Sequence, residues 1–276
     1  MTIHLRSDRA VFRFSGPEAH KLLNDVVTGP VPAADGPAAW WALLSPQGKI
    51  LAEGTVGWAE DALWLDVHRD VADDFFKRMK MYRLRAQVVI DDLRDTHRVG
   101  FSDSALPGAI SHEDQRGSVG LGYRVIAPVE ATHDWVDDLT AYRTARIAAG
   151  IAEQGDDFPA NDTFAHDIGL DILDGVDFKK GCYVGQEVVS RMKHRGTARR
   201  RPVLVSGIDA APGTPVLAGT REAGALGMVI GGQSVAVLRL DRLTDLSAVT
   251  VAGKPVTLAL PTWATYQFGE AASAED

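Results

Sequence analysis

Apolar and polar positions alternate near the start of the chain. Val11-Phe12-Arg13-Phe14 reads as a strand ending at the Ser15-Gly16-Pro17 turn. Pro17 and Glu18 suit the first turn of a helix running to about Val27, and Thr28-Gly29-Pro30 stops it. Ala38 to Leu44 is an apolar, strand-like run. Ser45-Pro46-Gln47-Gly48 is a hairpin turn, with Lys49 to Trp58 and Leu63 to Val67 as the following strands. The period then changes: Phe75, Phe76, Met79 and Tyr82 fall three to four apart, which predicts a helix over 71–82, with Leu84 to Ile90 returning to strand. Val99-Gly100-Phe101 and Val119 to Ala127 read as strands. Trp135, Leu139 and Tyr142, at i, i+4 and i+7, predict a helix ending near Gly150. Phe158 to Phe178 has no period and many acids, as a functional loop or cleft wall does. From Pro202 onward, short β-type runs are separated by glycine or proline turns, the pattern of a small barrel or sandwich. Residues 270–276 form a polar tail. The pattern is that of an α+β chain, divided at 1–95, 96–199 and 200–276.

With 45 % hydrophobic residues over 276 positions, the chain can bury a full core. Its net charge of −8 argues against stable nucleic-acid binding. No apolar run nears the roughly 20 residues of a membrane span, and Met1 to Arg6 lacks the apolar core of a secretory signal. The one cysteine, Cys182, cannot form an internal disulfide. The expectation is a soluble, cytoplasmic protein with no membrane partner.

One tract departs from the acidic background. Lys179 to Arg201 holds eight Lys/Arg and one acid, a balance of +7 in a chain at −8. Such a tract receives anions, because like charges lining a cleft focus the field. Gly181 and Gly185 bracket Cys182 and Tyr183. Two readings of Cys182 stand: a buried small hydrophobe, or a reactive thiol beside Lys179 and Lys180. Lys180, Arg191 and Arg195 suit an anionic tail or a partner's acidic patch, against a solvated basic face. Tyr183 suits stacking on an aromatic ring or core packing. Gln186 suits a channel wall or a loop hydrogen bond. His166 has no second His or Cys at metal spacing, so no metal site is expected.

Lys180-Gly181-Cys182-Tyr183-Val184-Gly185-Gln186-Glu187, with Arg191 and His194-Arg195-Gly196 after it, resembles the signature of the YgfZ family of folate-binding proteins. That family is related to the glycine-cleavage T-protein, an aminomethyltransferase. Leu44 to Leu51 and Tyr82 to Ala86 also resemble family segments, as does the β-rich end. The resemblance implies an aminomethyltransferase-like fold with domains in a ring around a central channel and a small C-terminal β-barrel. It further implies tetrahydrofolate as cofactor, and iron–sulfur enzymes or cluster-assembly proteins as partners. Asp167 lies where relatives carry an acid that grips the pterin. The resemblance thus assigns folate contacts to Asp167, Lys180, Tyr183, Gln186, Arg191 and Arg195, and the chemistry to Cys182. Val26 to Val31 aligns with the T-protein segment that carries the catalytic aspartate, and Pro30 takes its place. Proline has no ionisable group, which puts aminomethyl transfer in doubt. The leading expectation is a folate-binding accessory protein for iron–sulfur enzymes. Its alternatives are a folate-dependent one-carbon transferase and a tRNA- or protein-docking module.

Overall fold

The computed structural model describes residues 2–116, 120–196 and 198–270. Val119, expected to open a strand, and positions 271–276 of the polar tail lie outside the described residues. In the first third, β1 (His4–Leu5) and β2 (Arg9–Ser15) precede α1 (Ala19–Val26), then β3 (Ala39–Leu44), β4 (Ile50–Ala59), β5 (Ala62–His68), α2 (Ala72–Arg83) and β6 (Val89–Asp92). β7 (His97–Ser102), β8 (Ile110–Glu113), β9 (Tyr123–Pro128), α3 (Thr140–Ala149) and α4 (Gln186–Arg195) follow. The chain closes with β10 (Arg200–Ser206), β11 (Pro215–Ala218), β12 (Arg221–Ile230), β13 (Gln233–Arg239), β14 (Val249–Val251), β15 (Lys254–Pro255) and β16 (Thr257–Ala259).

The strands form three sheets. β3-β4-β5-β2-β6 is antiparallel, and α1 and α2 share its core through Leu22, Leu23, Phe75 and Met79. The aromatic contacts Phe12–Phe75 (5.1 Å) and Trp41–Phe75 (5.5 Å) anchor α2, and each buried side chain of this size contributes about 1.5–3 kcal/mol. A second sheet runs β1-β7-β9-β8. The third, β15-β14-β11-β12-β13-β10-β16, takes in every strand from β10 on. Its core is continuous with Ile147 of α3, Ile168 and Leu170 of the 165–170 segment, and Val189 of α4. The α+β class and the C-terminal β-rich region therefore hold.

Two expected elements shift. Leu84 to Val88 is a turn rather than a strand, and pairing begins at Val89. Trp135 and Leu139 precede α3 rather than riding on it. Trp135 instead packs over Gly100, where an added Cβ would sit 2.7 Å from its ring. One helix goes beyond the elements expected from the pattern: the second half of the basic signature is α4. Its own signals are present, with Glu187 in the first turn, three basic residues in the last and Gly196 in the left-handed conformation at its end.

Candidate functional site

The signature loop is pinned to the N-terminal sheet by backbone contacts. Gly185 has φ +82°, and a Cβ there would lie 2.8 Å from the Ser45 carbonyl oxygen at the tip of the β3–β4 hairpin. Both facts require glycine at this position. Upstream, Thr28 ties in the loop's approach. Its hydroxyl donates to the Gly175 carbonyl (2.7 Å) and its own carbonyl accepts the Asp177 N–H (2.9 Å). Asp177 in turn accepts the Lys179 and Lys180 backbone N–H groups. The Lys180 ammonium donates to the Gly29 carbonyl at 2.7 Å and lies over the Tyr183 ring, 5.3 Å from its centroid. Burial pushes the Lys180 amine down to about 8 and the Tyr183 hydroxyl up to about 12. The structure thus brings the Thr28-Gly29-Pro30 segment and the signature loop together, with Pro30 exposed.

Cys182 is exposed. That removes its reading as a buried hydrophobe. Tyr183 is buried at 7 % exposure and belongs to the large core, so its ring is largely committed to packing. Gln186 opens α4, half-buried; Arg191 and Arg195 lie on its exposed side.

Asp167 belongs to the 165–168 turn, earlier in the chain. It is buried in a short 3-10 turn, where its carboxylate accepts the Phe164 N–H (3.1 Å) and pairs with Arg200 (2.8 Å). Burial raises its pKa against the pull of Arg200. It lines an open groove of about 210 Å³ with Phe164, Met192 of α4, Arg199, Arg200 and Arg239. Asp167 and three arginines share one groove, and Lys180, Tyr183 and Cys182 are not among the residues that line it. The end of the β3–β4 hairpin reaches the Asp167 side too, where Lys49 lies 3.5 Å from the Phe164 ring centroid and donates to the Asp162 carbonyl (2.6 Å). Buried beneath, His166 has no hydrogen-bond partner on either ring nitrogen among the described residues, and burial lowers its pKa, which favours the neutral imidazole.

Sequence reasoning missed a third feature. Arg6, Arg9, Arg116 and Arg124 converge with Asp66, Asp114, Tyr142 and Glu153 around a cavity of about 20 Å³. Glu153 pairs with Arg6 (3.0 Å) and Arg116 (3.0 Å), and its other neighbours are Arg146 and the Tyr142 hydroxyl. Asp66 pairs with Arg9 (2.6 Å) and Arg124 (2.8 Å). Burial opposes ionisation of Glu153, but the fields of Arg6, Arg116 and Arg146 outweigh it and hold the carboxyl well below the usual range. The cavity has room for about one water, far too little for a folate. The signal was in the sequence: Glu53 and Asp66 interrupt otherwise apolar strand runs, and Arg9 opens another.

Residues 198–266 match the family model of the CAF17 C-terminal beta-barrel domain. The chain is 27 % identical to the mitochondrial iron-sulfur cluster assembly factor IBA57 homolog of Pyricularia oryzae, over 90 % of this chain and 73 % of that protein. It is 32 % identical to the corresponding Mycosarcoma maydis protein, over 72 % of this chain. Human IBA57 is 27 % identical over 81 % of this chain and 71 % of its own length. The chain spans only 55 % of the Mycosarcoma relative. These relatives carry the IBA57 name rather than that of YgfZ, which refines the expected kinship while keeping its link to iron–sulfur assembly. Their mitochondrial names overturn the cytoplasmic expectation. Among solved structures, the glycine cleavage system aminomethyltransferase T of Bartonella henselae superposes with a TM-score of 0.74 at 15 % identity, over 97 % of this chain and 87 % of that one. The chain has the aminomethyltransferase fold, and its last third is a β-barrel of the CAF17 type.

Proposed function

We propose that this chain is an iron–sulfur cluster assembly factor of the IBA57 kind that binds a reduced folate, built as three parts at 1–95, 96–199 and 200–276. The observation that carries the reading is the similarity to IBA57 proteins over as much as 90 % of the chain. The exposed Cys182 supports it, since a thiol on a pinned loop is open to a cluster-bearing partner. One thiol is too few to hold such a cluster alone, because most need about four. Cys182 therefore acts together with groups supplied by that partner.

The residues of the Asp167 groove fit a folate in chemistry. A carboxylate accepts the amino and ring N–H donors of a pterin, Phe164 and Met192 offer apolar walls, and Arg199, Arg200 and Arg239 suit the carboxylates of a glutamate tail. Bound there, the folate would supply a one-carbon carrier. In this arrangement Asp167 orients the ring and exchanges its Arg200 pairing for the ligand. Lys180 and Tyr183 brace the loop rather than contact the tail. Pro30 leaves the T-protein acid position without an ionisable group, so no aminomethyl turnover is expected.

The test is twofold. The wild-type gene should restore iron–sulfur enzyme activity in a strain lacking its own assembly factor, and Cys182→Ala should not. Tetrahydrofolate should bind by calorimetry. Full rescue by Cys182→Ala would remove the thiol from the function, and absence of folate binding at millimolar ligand would remove the cofactor.

A further inference from the structure

A second basic tract lies far from the signature in sequence. Lys77-Arg78-Met79-Lys80-Met81-Tyr82-Arg83-Leu84-Arg85 holds five Lys/Arg and no acid, in a chain whose net charge is −8. Met79 alone of its apolar residues is fully buried. Among the described residues, none of the five cations forms an ion pair with a carboxylate; Lys80 lies over the Phe76 ring instead. Cations left unpaired on an acidic protein mark a place where charge is provided for something outside it.

The apolar side chains point the same way. Leu84 is 85 % exposed, Met81 53 % and the neighbouring Val89 55 %. Scattered single exposures are ordinary, but these three lie within nine residues of one another at one end of α2. The backbone at Leu84 adds a further sign. Its φ and ψ are +45° and −107°, and the Ala86 N–H bonds the Arg83 carbonyl at 2.8 Å. Leu84 therefore takes the first central position of a type II′-like turn, where glycine is favoured because a Cβ is strained. The fold holds a large apolar side chain outward at a position that glycine would fill more cheaply, and strain of this kind collects at ligand clamps.

Beside the turn runs a groove of about 340 Å³ between the end of α2 and α1. Tyr82, Arg83 and Arg85 form one wall, Leu22 and Ala86 supply apolar surface, and Glu18 and Asp25 stand on the α1 side. Glu18 is engaged by the Gln87 N–H and Asp25 by Lys21. With Glu18 and Asp25 engaged inside the fold, Arg83 and Arg85 are the charges the groove leaves open to a ligand. Its concave shape suits a chain segment laid along that wall rather than a flat bilayer.

Of the five cations Arg83 and Arg85 line this groove, while Arg78 lines another with Asp74 and Phe75. We propose that the 82–86 turn and its groove form a docking site for an acidic segment of a partner protein, with that segment's carboxylates on Arg83 and Arg85 and a large apolar side chain against Leu84. The site does not depend on the folate or cluster reading, because it lies on α1 and α2 and uses neither Cys182 nor Asp167.

The probe is a fluorescent peptide of glutamates and leucines, followed by anisotropy with the full chain. Its controls replace glutamate by lysine, or leucine by serine. The wild type should bind the acidic, leucine-bearing peptide alone, and raising salt from about 0.05 to about 0.5 M should weaken binding. Arg83→Glu/Arg85→Glu should reduce affinity by on the order of tenfold or more, as loss of charge complementarity does. Leu84→Gly should raise the melting temperature by relieving the turn while weakening the peptide, a combination that a purely structural role for Leu84 would not give. Unchanged binding in both variants overturns the proposal. So does failure of the wild type to prefer the acidic peptide, or tract-dependent binding to phosphatidylserine vesicles without peptide binding.

Discussion

Charge is used in opposite ways around Glu153 and around Cys182. At Glu153, arginines from the turn between β1 and β2, the 116 region and α3 meet carboxylates inside the protein. Every ionised group there has a partner, and the remaining space is about 20 Å³. At the signature, the loop is held by Thr28, Asp177 and the Lys180–Gly29 contact, while Cys182 and the outer face of α4 remain in solvent. Buried ionic networks are costly to assemble and costlier to break; exposed cations contribute little to stability and stay available to ligands. Residues that look alike in composition are therefore locked into buried pairs in one region and held at the surface in the other.

The contrast is broken most sharply at Glu153. Glu153→Ala leaves Arg6, Arg116 and Arg146 under-compensated in the interior, and a loss of about 3–5 kcal/mol is expected in urea unfolding. The pH dependence carries the same sign. The folded Glu153 carboxyl is depressed, so its contribution is fully present above the unfolded value of about 4.3. It is lost only as pH falls through the lower folded value. Asp8, held to about 2 by Arg6 against burial, behaves alike. A wild-type protein that lost most of its stability at mildly acidic pH through these groups would contradict the pairing.

Next in size is Gly185→Ala. Its positive φ and the close Ser45 carbonyl leave no room for a Cβ, so a cost of about 1–3 kcal/mol is expected. Loosening of the loop should accompany it, read as faster proteolysis near the signature. Asp167→Ala should weaken tetrahydrofolate by about 1–3 kcal/mol in calorimetry if the groove holds the pterin. The Asp167 pKa is raised by burial, so the folded state binds its proton more tightly than the unfolded chain does. Its contribution therefore becomes more favourable as pH falls toward the unfolded value of about 3.9. Asp167→Asn should flatten the stability profile in that window.

Much of the fold was legible because local pattern and burial agree. The Phe75–Met79 helix, the Ser45–Gly48 hairpin and the barrel strands each announce themselves through period or turn chemistry. Trp135 misled because an apolar residue at helical spacing also suits a turn that covers Gly100. The helix α4 was hidden by its charge: a basic run drew attention to ligands and away from the helix-forming residues beneath. The site was legible only in part. Cys182 and Asp167 stand out in the sequence as candidates, yet the arrangement of the segments that carry them depends on how α4 and the barrel meet, which no local pattern encodes. The Glu153 network escaped for a related reason, since its members come from positions 6 to 153 and converge only in three dimensions.

The smallest expected effect on stability falls on Cys182. An exposed side chain loses little packing on truncation, so Cys182→Ala and Cys182→Ser should each stay within about 0.5 kcal/mol of the wild type in urea unfolding. The two substitutions differ in polarity, and a packed thiol would distinguish them; an exposed one should not. Iodoacetamide should label the folded protein at Cys182 without denaturant, because access does not require opening of the core. Protection of the thiol in the native state, with a loss of more than about 1 kcal/mol for serine but not alanine, would put Cys182 in a packed environment. The signature loop would then belong with the Glu153 network as a structural device. Rapid labelling with unchanged stability keeps the two regions distinct and leaves the thiol free to act on a partner.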